Sequence, residues 1–407
     1  MRFRFSRTIK ALSLCGLVVC TAAHAADWMQ FRGSGSGVSK ESGLPVKWSK
    51  TENVKWKVAL PGRGLSCPVV ADGRVFVTAC DGPEQTRLHV LCFDAVTGKK
   101  LWQRSILATG NTVCHPKTSM AAPTPATDGK AVYALFATAD LVAYDRDGNL
   151  LWYRSLVSDY PTVTNQVGMA SSPMLAGDVL VLPMDNAGES FIAGLDLRSG
   201  RNRWKVERVR DINWVTPAIR TVGKRTEVIF PAQKELVAYD AATGNRVWGF
   251  DGEGKISTIP SAIVGEKNEV LVPAGDLISL QPGGEGETPQ VLWKSNRLKT
   301  GGYSTPLYYD GHVYALNSVG VLVCGDAKSG KMLWDVRLKG PFSASPIAAD
   351  GRIFAVNEKG VTQVVKLGEK PEIEATNDLN DDMQATPAIA GGCIFLRSDS
   401  TLYCIGK

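Results

Sequence analysis

At 407 residues, with 44% hydrophobic residues and ten Trp, the chain carries enough apolar surface for an extensive core, which excludes intrinsic disorder, collagen-like sequence and a small disulfide-held scaffold. Forty-six Lys plus Arg against 40 Asp plus Glu give a formal charge of +6, too small an excess to favour a nucleic-acid partner unless it clusters.

It clusters at the N-terminus. Arg2, Arg4, Arg7 and Lys10 precede an apolar run, Ala11 to Ala23, that ends in Ala23-His24-Ala25. A basic segment, a short apolar segment and an A-x-A step form a secretory signal, expected over residues 1–25. The run is too short to span a bilayer, and Val19 stands where a lipid-modified Cys20 would need a small residue, so the membrane association expected is peripheral at most. Cleavage after Ala25 removes four positive charges and lowers the net charge to +2, which leaves no basic-partner argument and no expected nucleic acid. Residues 26–52 follow as an N-terminal extension containing Asp27-Trp28-Met29-Gln30-Phe31-Arg32-Gly33.

From residue 53 to 407 the chain repeats itself. A Ser/Thr-Pro step opens most units: Cys67-Pro68, Thr124-Pro125, Ser172-Pro173, Thr216-Pro217, Ile259-Pro260, Thr305-Pro306, Ser345-Pro346 and Thr386-Pro387. After each step come a short apolar strand, a polar turn, an alternating strand, and a third strand of the type Leu141 to Asp145 or Leu236 to Asp240. A fourth strand carries Trp102, Trp152, Trp204, Trp248, Trp293 or Trp334. The turn before it reads D-x-x-x-G at Asp94, Asp196, Asp240 and Asp326, with Trp four residues past each Gly. Asp accepts from backbone N–H groups two and three residues on, and Gly tolerates the positive φ that closes such a turn. Each unit therefore reads as a four-stranded antiparallel meander, and a period of 40 to 50 residues signals a propeller. The last unit ends at Lys407 one strand short, while Asn53 to Val58 is a Trp-bearing strand without a unit. Pairing the two predicts an eight-bladed β-propeller closed by its N-terminal strand, with no open edge between the first and last blades and a monomeric chain.

The repeated D-A-x-[TS]-G-x-x-x-W units and their eightfold count resemble the pyrroloquinoline-quinone-type propeller family, which includes quinoprotein dehydrogenases and BamB-like exported assembly factors. The resemblance covers residues 53 to 407, and Trp56-Lys57-Val58-Ala59-Leu60-Pro61-Gly62 and His115-Pro116-Lys117 are similar to an exported subfamily. It implies two readings. One is a non-enzymatic scaffold for a protein, peptide or envelope glycan on a loop face, with no cofactor. The alternative is a quinoprotein-like oxidoreductase, which in this family holds its quinone with calcium ligated by Glu, Asn and Asp, under an adjacent Cys-Cys disulfide. The chain has no adjacent Cys pair and no C-x-x-C-H haem motif. Asp185-Asn186 with Glu189 is its nearest approach to a calcium-ligand set, and polar loop chemistry accounts for it equally.

Other residues stand out. Cys92, Cys324 and Cys404 share one repeat position with Ala143, Gly194 and Ala238, so a buried thiol filling a small slot is expected there. Cys67, Cys80 and Cys114 point to one face of the ring, as a disulfide between two of them, as buried thiols, or in a metal or catalytic role with His115. His115 and Lys117 lie in the longest connection, Leu107 to Ala122, where a functional loop and a polar cover over the channel weigh evenly; a third reading puts them beside a hydrolase or lyase site. A large apolar residue precedes each anchor: Leu65, Met120, Met169, Trp214, Ile256, Tyr303, Phe342 and Met383. These line the channel mouth as a binding ring or wedge between blades. The neighbouring Asn165, Gln166, Arg210, Asp211, Lys234, Asp381 and Asp382 mix signs and steer no charged polymer.

Overall fold

The computed structural model describes Met1 and residues 27–164, 167–252 and 256–407, so the signal reading falls outside the described residues. Eight four-stranded antiparallel sheets form the blades, each ordered along the chain from inner to outer strand except the last. Blade one is Val69–Ala71, Arg74–Asp81, Arg87–Asp94 and Lys100–Leu107. Blade eight joins Ala388–Ala390, Cys393–Arg397 and Thr401–Ile405 to Val54–Ala59, whose register runs from Val54 opposite Ile405 to Ala59 opposite Thr401. The expected closure by the N-terminal strand is thus the observed one. Among the described residues no helix is long and apolar enough to cross a membrane.

The outer-strand Trp explains both the small slot and the glycine. Trp102, Trp204, Trp334 and Trp56 sit opposite Cys92, Gly194, Cys324 and Cys404 on the third strand. The indole lies across that neighbour, and a Cβ on Gly194 would fall 2.3 Å from Trp204. Blade seven has no Trp, carries Ala375 there, and accordingly accepts the bulkier Val364 opposite. Five of the indoles also reach the next blade. Nε1 of Trp56, Trp102, Trp152, Trp204 and Trp293 donates to the backbone oxygens of Ala95, Arg146, Leu197, Ala241 and Ala327 at 2.9–3.1 Å. Those acceptors lie in the turns read from sequence. In one of them Asp196 Oδ1 accepts from Ser199 N at 3.0 Å while Gly200 sits at φ +66°, its absent side chain leaving room for Trp152. Blade five has no such turn, and Trp248 donates instead to Glu227 within its own blade at 3.0 Å.

With the turns on one face, the longer connections between blades gather on the other, here called upper. Inner strands run from upper to lower face, and the residue that starts each one forms a ring around the channel. The N–H of Cys67 donates to Thr124 Oγ1, Thr124 to Ser172, Ser172 to Thr216, Thr216 to Ser261, Ser261 to Thr305, Thr305 to Ser345 and Ser345 to Thr386, at 2.9–3.1 Å. The Thr386 N–H meets the Cys67 thiol and closes the circle. Seven hydroxyls and one thiol thus stitch adjacent blades together at their narrowest point. In blade five the ring residue is Ser261, which corrects the expected Ile259-Pro260 anchor: Pro260 precedes the ring position there instead of following it.

Candidate functional site

The ring divides the channel. Below it, the N-terminal extension pairs with residues three places further along the inner strands. Trp28 bridges Val70, Met29 O accepts from Thr127 N at 2.8 Å, Gln30 Oε1 accepts from Leu175 N at 2.7 Å, and Ala348 N donates to Gly37 O at 2.9 Å. At about 3.3 Å per strand residue this places the plug roughly 10 Å below the ring. Arg32 is fully buried and reaches back up, donating to Pro306 O at 2.9 Å and Pro346 O at 3.1 Å. The extension, which carries no repeat, is therefore what blocks the lower channel.

Above the ring, the connection from blade one to blade two crosses the mouth. Arg63 Nη1 holds its Pro116 and Thr118 carbonyls at 2.9 Å, and His115 N donates to Val167 O at 3.0 Å. Lys117 spans to the far side, with Nζ 3.1 Å from Glu358 Oε1 and 5.4 Å from the Tyr303 ring centre. His115 Nδ1 accepts from Lys117 N at 3.1 Å, a contact that shapes the loop.

Between plug and loop lies a cavity of about 340 Å³, lined by all eight ring residues and by Phe31, Leu65, His115, Lys117, Trp214, Ile259 and Tyr303. Hydroxyl, thiol, imidazole and amine groups converge on it with apolar and aromatic walls. No carboxylate lines it among the described residues.

The residues singled out by sequence separate into three groups. His115, Lys117, Trp214 and Tyr303 come together at the mouth, where Tyr303 is 41% exposed. The binding-ring alternative fails for the others: Met120, Met169, Ile256, Phe342 and Met383 are at most 5% exposed and wedge between blades, because the apolar residues entering each inner strand meet the neighbouring sheet before they reach the channel. Asp185 and Asn186 are also buried away from the cavity. Asp185 accepts from Arg208 Nε at 2.8 Å, Arg208 Nη2 at 3.0 Å, Asn213 Nδ2 at 2.9 Å and Ser190 Oγ at 3.1 Å; Asn186 Nδ2 donates to the carbonyls of Met184 and Glu189. Asp185 thereby helps join blades three and four, while the polar atoms of Asn186 are spent within its own loop and on Thr164 N.

This bears on calcium and a quinone. Of the candidate ligand carboxylates, Asp185 already receives four donors and Glu189 is paired with Lys205, and the cavity wall presents hydroxyl donors where a hard cation needs anionic oxygens. No group of three His, Cys, Asp or Glu side chains able to hold a metal occurs among the described residues. The residues present do not fit a calcium-held quinone.

Cys67, Cys80 and Cys114 all lie near the upper face, each as a free thiol. The Gln85 side chain separates two of them, its Oε1 accepting from Cys80 Sγ at 3.1 Å and its Nε2 donating to Cys114 Sγ at 3.6 Å, so the candidate disulfide is replaced by an amide bridge. Burial pushes the Cys67 and Cys80 thiols up. Sequence reasoning missed Phe31 and the ring hydroxyls as cavity elements, and Arg32 as the anchor of the plug. The Ser/Thr-Pro steps were visible, but each bond partner lies a whole blade away.

The sequence signature of the family described as outer membrane protein assembly factor BamB matches residues 36–249, 188–285 and 235–370. No curated protein matches the chain. Among solved structures, BamB from Moraxella catarrhalis is similar at 15% identity and TM-score 0.62, over 87% of this chain and 97% of that one. A europium-containing methanol dehydrogenase is similar at 10% identity and TM-score 0.67, over 93% and 98%. Quinohemoprotein alcohol dehydrogenase from Comamonas testosteroni is similar at 12% identity and TM-score 0.66, over 94% and 81%. At such identities these likenesses speak for the fold alone. The eight stitched blades and the sequence signature across most of their length make the chain a member of the BamB-like family of pyrroloquinoline-quinone-repeat propellers.

Proposed function

We propose that this protein is an exported, monomeric, non-enzymatic propeller that holds a protein, peptide or envelope-glycan partner on its upper loop face. The observation that carries this reading is the division of polar groups. The Asp185 and Asn186 oxygens that a cofactor site would need are bonded inside the wall, while Tyr303, His115 and Lys117 stand open at the mouth. Aromatic rings beside exposed polar side chains are the composition of a recognition surface. The family includes BamB, an outer membrane protein assembly factor, and this supports a protein partner in the envelope. The lower face offers tight hairpin turns and the bound extension, which leave less variable surface.

A photo-crosslinking residue at Tyr303 and another at Val96, exposed in a lower-face turn, test this in cells. Discrete adducts from position 303 and none from 96 are expected. Adducts from 96 alone would overturn the assignment of the face, and turnover of an alcohol with dye reduction by the purified chain would overturn the non-enzymatic reading in favour of the oxidoreductase.

A further inference from the structure

Two guanidinium groups stand beside the central cavity with no carboxylate within ion-pair distance among the described residues. Arg32 is 0% and Arg397 1% exposed. Arg32 donates to the carbonyls of Ser36, Thr305, Pro306 and Pro346, and Arg397 Nη1 to Ser66 O at 3.0 Å and to Ser66 Oγ. Nε of both and Nη2 of Arg397 have no partner among the described residues. Burial lowers their pKa values to about 9 and about 10, which keeps both charged at neutral pH. Thr305 and Ser345 of the cavity wall adjoin the Arg32 contacts, and Cys67 follows Ser66. Buried charge without a counter-charge is costly, since carbonyl dipoles replace only part of the lost hydration.

The cavity is shaped to receive the missing charge. Ser172, Thr216, Ser261, Thr305 and Ser345 accept the ring hydrogen bonds, and their hydroxyl protons have no acceptor among the described residues. Those protons can be donated to an oxygen in the cavity. Trp214, Ile259, Leu65 and Val167 form its apolar part, and about 340 Å³ exceeds what an inorganic anion fills. The geometry points to the central cavity as a binding site for a small organic carboxylate with an apolar body, held without a metal ion. Its carboxylate accepts from the ring hydroxyls in the field of Arg32 and Arg397, while its body packs on Trp214 and Ile259. This goes beyond the partner on the loop face and does not depend on it.

The test uses the full mature chain with hexanoate and phenylacetate as probes and their primary amides as uncharged controls, read by calorimetry with and without EDTA. Both acids bind, their amides bind at least about tenfold more weakly, and EDTA changes nothing. Arg32→Gln, which keeps a donor but removes the charge, weakens the acids about tenfold and leaves the amides unchanged. Because Arg32 also anchors the plug, a second variant fills the site instead: Ala122→Leu with Ala170→Leu, both on the cavity wall, abolishes acid binding at an unchanged unfolding midpoint. Equal binding of acid and amide, no binding of either acid, binding that survives the filled cavity, or binding lost with EDTA would each overturn the assignment.

Discussion

Replacing Thr216 by Val removes one link of the inner ring while preserving side-chain shape. Thr216 Oγ1 accepts from the Ser172 N–H at 3.1 Å, the two residues are 4% and 2% exposed, and the methyl that replaces the hydroxyl keeps cavity water off that N–H. A buried donor left unpaired costs about 1–3 kcal/mol, and Val opens no void to add to it. Thr216→Ser keeps the acceptor and loses one methyl, about 0.8 kcal/mol. An unfolding entropy of about 2.1 cal/mol/K per residue gives a chain of this length about 0.85 kcal/mol/K, so a 2 kcal/mol loss lowers Tm by about 2–3 °C. Calorimetry or urea denaturation of the two variants and the parent reads the order: parent, Ser, then Val. The same changes at exposed Thr221 leave the midpoint within about 0.5 kcal/mol. If Thr216→Val is as stable as Thr216→Ser, the ring is not what binds the blades at the channel.

The docking of a Trp on the next blade's turn glycine, seen in five blades, is tested by a pair of substitutions. Gly200 and Gly177 both have positive φ, +66° and +65°, but a Cβ on Gly200 meets the Trp152 ring at 2.6 Å while one on Gly177 meets nothing within 4 Å. Gly177→Ala loses about 1–2 kcal/mol from backbone conformation, and Gly200→Ala loses clearly more; equal losses in denaturant titrations would remove the docking argument. The turn aspartates set the acid limit. The Arg203 side chain, with Ser199, holds Asp196 down at about 2, and Thr97 does the same in direction for Asp94, so each carboxyl binds its proton more weakly folded than unfolded. Their contribution is complete above the unfolded carboxylate range and is lost as pH falls from about 4 towards 2. Asp196→Asn therefore flattens the stability–pH slope below pH 4 and leaves the shape of the curve unchanged above pH 5, measured by denaturant midpoints across pH.

How much of this was legible depended on the range of the interaction. Trp102, Asp94 and Gly98 act within one turn or one strand pair, and their fixed spacing announced the blades; the unpaired Trp56 strand announced the closure. The hydroxyl ring was half visible, since Ser or Thr recurred before Pro without showing that its partner lay a blade away, and a shifted proline misplaced Ser261. Apolar residues before the anchors could face the channel or the neighbouring blade, and packing chose the blade for Phe342 and Met383. Asp185 looked like a ligand because Arg208, which claims it, is 23 residues further on. The plug at Trp28 to Arg32 had no period to betray it, and nothing in the sequence set the buried Arg32 and Arg397 apart from the other basic residues.

The central claim is a propeller of quinoprotein architecture that binds without quinone chemistry. It is tested most directly by incubating the purified chain with pyrroloquinoline quinone and calcium, removing unbound quinone by gel filtration, and following quinone absorbance and alcohol-dependent dye reduction. The account predicts no calcium-dependent quinone retention and no dye reduction above the protein-free control. Stoichiometric, calcium-dependent quinone retention with dye reduction would contradict it.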